Sequence, residues 1–99
     1  MKNFDLRYEG YESYLIDKVP YMEGYQYIFG FPNGYGASVI KHRGSYGFDS
    51  DKWELAVIKF GEGGKDDWNL CYDTLVTDDV IGYLTDEDVT ELFRQIMEL

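Results

Sequence analysis

The chain has 99 residues, with 19 acidic and nine basic side chains and a net charge of −10. This length allows one domain with a core of its own. The charge disfavours direct binding to nucleic acid and to anionic membranes, both of which attract Lys and Arg, and it favours basic protein surfaces. The single cysteine, Cys71, excludes an internal disulfide. With no signal-peptide pattern and no apolar run of membrane-spanning length, we expect a cytoplasmic protein.

The first half of the chain predicts an arm followed by a hairpin. Residues 1–24 fit neither helical nor strand periodicity, so we expect an irregular arm or a strand there. The following segment alternates in the manner of a strand with one aromatic face. The aromatic residues of that face are Tyr25, Tyr27, Phe29 and Phe31. The run Pro32-Asn33-Gly34-Tyr35-Gly36 is typical of a tight turn, because Asn-Gly supplies the positive φ angles that a hairpin needs.

Three more strands are predicted after this turn: Ala37 to Lys41, Trp53 to Phe60 and Trp68 to Val76. Glycine-rich loops separate them, at 42–52 and 61–67. Short strands joined by turn-rich loops favour consecutive antiparallel pairing. Residues 25–76 therefore predict an antiparallel β-meander of about four strands.

Residues 77–98 are predicted to be helical. Thr77 to Leu84 suggests a short helical turn opened by a Thr77-Asp78 cap, and Thr85 with Asp88 forms a capping-box pair for the C-terminal helix. Apolar residues then recur at amphipathic helical spacing. They are Val89, Leu92, Phe93, Ile96 and Met97. We expect a single domain over 1–99 of the α+β class, with this helix packed on one face of the meander.

The sequence contains no motif that indicates a catalytic site. There is one His and one Cys, and Asp49-Ser50-Asp51 lacks the glycine and distal Glu of an EF-hand. The loop Gly61 to Lys65 does not match a phosphate-binding loop. Ser45 lies near His42 without a nucleophile elbow. We expect no metal, no cofactor and no enzyme activity, and a small hydrolase using His42 or a carboxylate pair is the third alternative for function.

The acidic residues are concentrated in the last third of the chain. Residues 1–65 have a net charge of −1 from nine acids and eight bases, and residues 66–99 have −9 from ten acids and one base, Arg94. Carboxylates on a rigid face can imitate the phosphates of a duplex. The predicted partner-binding acids are Glu87, Glu91 and Glu98 on the helix, and Asp66, Asp67 and Asp73 beside the last strand. The alternative is that the acids maintain solubility and cap helices.

Loop tyrosines form a second predicted binding feature. Tyr35 and Tyr46 stand among Gly, Ser and Asn, the composition of adaptable binding loops. The alternative is that the glycines serve turns and the tyrosines pack on the sheet.

Several strings resemble small proteins of unknown function encoded by bacteriophages and prophages of Gram-positive bacteria. The resemblance spans about Tyr25 to Met97. The strings are Phe31-Pro32-Asn33-Gly34-Tyr35-Gly36-Ala37-Ser38-Val39, Gly44-Ser45-Tyr46-Gly47, Trp53-Glu54-Leu55-Ala56-Val57 and Tyr72-Asp73-Thr74-Leu75-Val76-Thr77-Asp78-Asp79-Val80-Ile81-Gly82. The resemblance brings no catalytic residues. It implies a phage setting, in which small acidic accessory proteins bind and disable host enzymes.

The expected function is therefore that of a phage-encoded acidic accessory protein in the host cytoplasm. It would bind and modulate or inhibit a host protein with a basic surface, through the acidic face, the Tyr/Gly loops, or both. The possible host proteins include a nucleic-acid-handling protein or a defence nuclease. The chain would block it by nucleic-acid mimicry, as an anti-CRISPR protein does. The alternative is a structural phage protein that forms a homo-oligomer through its aromatic strands.

Overall fold

The computed structural model describes residues 2–77 and 79–99. Its strands are β1 (Leu15–Tyr21), β2 (Gly24–Gly30), β3 (Tyr35–Lys41), β4 (Trp53–Phe60), β5 (Trp68–Leu70) and β6 (Ile81–Leu84), and its helix is α1 (Asp86–Met97). Short 3₁₀ turns occur at Glu12–Tyr14 and Phe48–Ser50. All strand pairings are antiparallel, in the order β1-β2-β3-β4-β5, and α1 packs on the sheet. The predicted α+β class, the meander and the packed C-terminal helix are confirmed.

Strands β5 and β6 share one edge of β4. β5 pairs with Ile58–Phe60 and β6 pairs with the opposite end of β4, from Trp53 to Leu55. The prediction of one strand over Trp68 to Val76 is wrong beyond Leu70, and the prediction of a helical turn over Thr77 to Leu84 is wrong as well. The physical reason is that β4 is eight residues long and its edge needs partners along both halves, which β5 and then β6 supply. Asp78 of the predicted cap lies outside the described residues.

The core lies between α1 and one face of the sheet. Val89, Phe93 and Ile96 of the predicted helical stripe are fully buried, and Leu92 and Met97 are partly buried against the same core. The sheet side of this core includes Tyr27, Phe29, Val39, Trp53, Leu55 and Val57. The predicted capping box is present, since the Asp88 amide donates to Thr85 Oγ1 and the Thr85 amide donates to Asp88 Oδ2.

The N-terminal arm crosses the same side of the sheet before β1 begins. Tyr27 Oη donates to the Phe4 carbonyl at 2.8 Å and accepts from the Leu6 amide at 3.3 Å. The Tyr8 ring contacts the Phe29 ring edge-on, with 5.4 Å between centroids. Leu6 is buried in the main core. The arm therefore closes the core on the side that α1 leaves open.

The β2–β3 turn is tied to the end of the helix. Gly34 has a φ of 87°, whereas Asn33 does not have a positive φ, so only one residue of the predicted Asn-Gly pair uses the left-handed region. Asn33 Oδ1 accepts from the Tyr35 amide, and its Nδ2 donates to the Ile96 carbonyl at 2.8 Å. The Ile96 carbonyl also accepts from the Leu99 amide at 3.1 Å. Asn33 thus shapes the hairpin and ties it to the end of the helix.

Candidate functional site

The predicted acidic face of α1 is held in ion pairs with arginine. Arg94 donates to both Glu91 and Glu98, at 2.9 Å to the latter, and Arg7 of the arm donates to Glu87 at 2.9 Å. Hydrogen bonds from Arg94 and Gln95 hold the pKa of Glu91 below its ordinary value. These three carboxylates are exposed, but each already has a cationic partner within the fold. Their capacity to attract a second cation is correspondingly reduced.

Asp86 lies at the start of the same helix and has a structural position. Its Oδ1 accepts from Trp53 Nε1 at 2.9 Å and its Oδ2 accepts from Arg7 Nε at 3.1 Å. The Asp86 side chain is 17 % exposed. This acid connects the helix to the sheet and to the arm.

The three predicted loop acids flank β5. Asp66 and Asp67 precede this strand and Asp73 follows it, and all three are exposed. Asp67 closes its loop by accepting from the Gly63 amide at 2.9 Å. Asp73 accepts from Cys71 Sγ at 3.0 Å. Within residues 2–77 and 79–99, none of the three forms an ion pair with Lys or Arg.

Cys71 follows β5 directly and is partly buried against the core. The hydrogen bond to Asp73 and the thiol's burial raise the pKa of Cys71 above its ordinary value. A raised pKa keeps the thiol protonated and poorly nucleophilic. In this environment Cys71 serves as a packing residue.

Apolar side chains are exposed beside these loop acids. Leu70, Tyr72 and Leu75 are all exposed, and Leu75 is as accessible as in an extended chain. Thr74 Oγ1 accepts from the amides of Val76 and Thr77, which turns the chain and presents Leu75 outward. We call this surface the β5 edge. It consists of Asp66, Asp67, Leu70, Tyr72, Asp73 and Leu75.

Sequence reasoning identified the acids of the β5 edge and missed its apolar part. It placed residues 68–76 in a strand, where alternate side chains would be covered. The available signal was the pair Thr74 and Thr77, since hydroxyl residues at this spacing favour turns that bond to their own backbone.

The two predicted tyrosines lie apart. Tyr35 begins β3 and packs on the core, with Lys59 Nζ 5.1 Å from its ring centroid. Tyr46 lies beyond the other end of β3 and is 60 % exposed. Its carbonyl accepts from the amide of Tyr83, a second exposed tyrosine with a φ of 60°. The structure therefore brings Tyr46 to Tyr83 and leaves Tyr35 as a packing residue.

The face of the sheet opposite α1 contains a groove that sequence reasoning missed. Side chains alternate along a strand, so Gln26, Ser38 and Glu54 point away from the core side occupied by their neighbours. The groove has a volume of about 380 Å³. Tyr21 and His42 form one end and Leu70 with Val80 the other. Its position beside β5 makes it continuous with the β5 edge through Leu70.

The candidate catalytic side chains are not assembled as a triad. Ser45 Oγ donates to the His42 carbonyl and accepts from the His42 amide, so this hydroxyl bonds to the backbone and not to the imidazole. Asp51 binds the buried Lys41 at 2.9 Å. Among the described residues, no group of three or more His, Cys, Asp or Glu side chains is placed to hold a metal ion. In the same part of the chain, no helix has the length and apolar character to cross a membrane.

Comparisons with protein-family models, with curated proteins and with solved structures found no match to this chain.

Proposed function

We propose that the protein is an acidic accessory protein that binds a basic surface of another protein through the β5 edge. The observation that supports this most strongly is the coincidence of two features at one edge of the sheet. Loop carboxylates without ion-pair partners in the described chain stand next to exposed Leu70, Tyr72 and Leu75. Scattered acids serve solubility, but acids around exposed apolar side chains are typical of a protein-binding surface.

The two features contribute differently to binding. The field of a protein with a net charge of −10 accelerates association with a basic partner. Affinity comes mainly from apolar side chains that lose water at the centre of the contact, at about 1.5–3 kcal/mol for a leucine-sized group. Leu75 is suited to this role, because its exposed side chain gives up no contact of the free protein when it enters a partner's pocket.

The partner class follows from the charge and from the phage resemblance. A surface lined by Lys and Arg is the partner that the acids favour, and nucleic-acid-handling enzymes have such surfaces. In the proposed phage setting the protein acts in the host cytoplasm and inhibits or modulates a nucleic-acid-handling enzyme, such as a defence nuclease. Mimicry of nucleic acid then rests on the loop acids, because the helix acids are already paired with Arg7 and Arg94.

The test compares two triple variants with the same change in charge. The loop set is Asp66→Asn, Asp67→Asn and Asp73→Asn. The helix set is Glu87→Gln, Glu91→Gln and Glu98→Gln. Each set removes three negative charges, so a difference between them reports location and not net charge. Tagged proteins capture partners from a lysate of a Gram-positive host at low and at high salt.

We expect the loop set to lose a partner that the helix set retains, and we expect duplex DNA to compete for that partner. Capture that is equal for both sets would refute the β5 edge as the site. If duplex DNA does not compete for the captured partner, mimicry is refuted. The partner would then be a basic protein that does not use this surface to bind DNA.

Self-assembly through aromatic strands is the alternative prediction, and the geometry gives it less support. The strand aromatics Tyr27 and Phe29 are buried in the protein's own core. The edge strand β1 contains Lys18 and Pro20 and has an irregular register between Leu15 and Asp17. Charge, proline and irregular pairing on an edge strand oppose the addition of another strand. Light scattering at high concentration decides: a strict monomer excludes the assembly role.

A further inference from the structure

The groove on the helix-free face is built from two rows of side chains across the sheet. One row joins Gln26, Ile40 and Glu54, and the next row contributes Ser38 and Ala56 to the lining. At about 380 Å³ its size falls within the range of ligand pockets, about 300–1,000 Å³. Ile40 and Ala56 make the floor apolar between its polar groups. A groove of this size accommodates one long side chain.

The polar groups of the groove accept hydrogen bonds. Glu54 Oε1 accepts from the Tyr46 amide at 2.8 Å, and a carboxylate has capacity for further donors through Oε2. Gln26 uses its Nε2 to donate to Ser38 Oγ at 3.0 Å, which leaves its amide oxygen as an acceptor. No Lys or Arg side chain lines the groove in the part of the chain that the structure describes. The groove thus offers acceptors and a negative charge with no cation to match them.

An aromatic wall stands at the end of the groove. The rings of Tyr21 and His42 meet edge-on, with centroids 4.9 Å apart. Tyr21 is half exposed and belongs to the groove lining. The face of an aromatic ring attracts a cation, and a guanidinium also stacks on it.

We propose that this groove binds an arginine side chain from an extended segment of the partner protein. The guanidinium lies against the Tyr21 ring and donates to Glu54 and to the amide oxygen of Gln26, while the apolar rim contacts the flanking residues of the segment. Arginine fits better than lysine because its planar fork reaches two acceptors at once and stacks on a ring. An anionic ligand is opposed by Glu54.

This inference rests on the proposed function, because it assigns the arginine to the same basic partner that the β5 edge attracts. Leu70 belongs to both the groove lining and the β5 edge, so a segment in the groove continues onto that edge. The two proposals fail separately. The groove is tested with isolated peptides, and the β5 edge is tested with partner capture.

The experiment titrates the isotope-labelled full chain with acetyl-Val-Arg-Val-amide and follows backbone amide resonances by NMR. Matched peptides replace arginine by lysine or by citrulline, the neutral isostere of arginine. We expect shifts centred on Gln26, Ile40 and Ala56, and about tenfold weaker binding of the citrulline peptide. The lysine peptide binds with intermediate affinity.

Variants then assign the contacts. Glu54→Gln abolishes the preference for arginine over citrulline, whereas Glu62→Gln, an equal charge change on the exposed 61–67 loop, leaves it unchanged. Tyr21→Leu weakens binding of the arginine peptide several-fold. Because Tyr21 is exposed, this variant keeps the fold intact and tests the groove even if Glu54→Gln does not fold.

Three results would overturn the proposal. They are equal binding of arginine and citrulline peptides, equal effects of Glu54→Gln and Glu62→Gln, and peptide-induced shifts that lie outside the groove or do not occur. If the peptides fail while the loop set still abolishes partner capture, the groove proposal falls and the β5 edge stands.

Discussion

Replacement of Asp86 by alanine tests whether the acids at the start of α1 stabilise the fold. The change removes the acceptor of the Trp53 indole N–H, an ion pair to Arg7 and a negative charge at the helix N-terminus. Glu87→Ala is the matched control. It also removes an ion pair to Arg7 and a charge in the first turn, but no bond to the sheet.

The magnitude follows from the burial of the groups involved. Trp53 is 2 % exposed, and an indole N–H left there without a hydrogen-bond partner costs about 1–3 kcal/mol. The Arg7 side chain is 60 % exposed, so solvent screens its ion pair and the pair contributes little to stability. The charge near the helix dipole adds about 0.3–1 kcal/mol. We expect Asp86→Ala to lower the free energy of unfolding by about 1–4 kcal/mol, and Glu87→Ala by about 1 kcal/mol or less.

Urea unfolding followed by circular dichroism measures both changes, and Asp86→Asn adds a third point. Asparagine retains an oxygen acceptor for the indole and loses the charge, so its cost should fall between those of the two alanine variants. If Asp86→Ala costs no more than Glu87→Ala, the structural role of Asp86 is refuted.

Three further predictions concern stability. The Thr85 amide holds the pKa of Asp88 below its ordinary value, so its contribution is complete above about pH 4 and is lost as the pH falls through the lower folded-state pKa. Asp88→Asn, in urea unfolding from pH 6 to about pH 2, should flatten this acid limb. An unchanged limb would contradict the assignment. Gly36→Ala should destabilise by about 2 kcal/mol or more, since a Cβ there would lie 2.0 Å from the Phe29 carbonyl oxygen; a thermal shift near zero contradicts this close approach. Leu75→Ser should change the free energy of unfolding by less than about 0.5 kcal/mol, because Leu75 is fully exposed, and a large loss in denaturant unfolding would mean that Leu75 is packed.

The sequence predicts the elements whose signals are local. The apolar stripe of the helix lies within nine residues, and Thr85 and Asp88 form their cap across a single turn. The alternation from Tyr25 onward shows a core-facing side without knowledge of what covers it. Both patterns depend on residues that are close together in the chain, so they can be predicted without knowledge of the tertiary structure.

Local patterns do not predict that the last strand ends at Leu70 or that β6 follows it. The chain leaves the edge of β4 after Cys71, whose amide donates to the Val57 carbonyl, and Ile81 returns to that edge. β6 is stabilised by its backbone hydrogen bonds with the first half of β4, which is distant in sequence. Local propensity does not report such a contact, and the Thr and Asp residues before Ile81 resemble a helix cap as readily as a turn.

The sequence predicts some of the ion pairs of the acidic residues, and the others depend on the fold. Glu91, Arg94 and Glu98 are three and four residues apart, a spacing that itself predicts ion pairs on a helix. The pair between Arg7 and Glu87 joins residues 80 positions apart and is visible only in the fold. Once Arg7 and Arg94 are assigned, Asp66, Asp67 and Asp73 are the predicted partner-binding acids that have no Lys or Arg partner in the described part of the chain. The groove likewise depends on strand register, which sets Gln26 and Glu54 on one row.

The central claim is that the β5 edge, and not the acidic face of α1, binds the basic partner. The most direct measurement is the affinity of the captured partner for the loop set and for the helix set, by isothermal titration at one ionic strength. Three rim carboxylates at about 0.2–1 kcal/mol each predict about a threefold to hundredfold weaker affinity for the loop set and little change for the helix set. A helix set that weakens binding as much as the loop set, or more, would contradict the account.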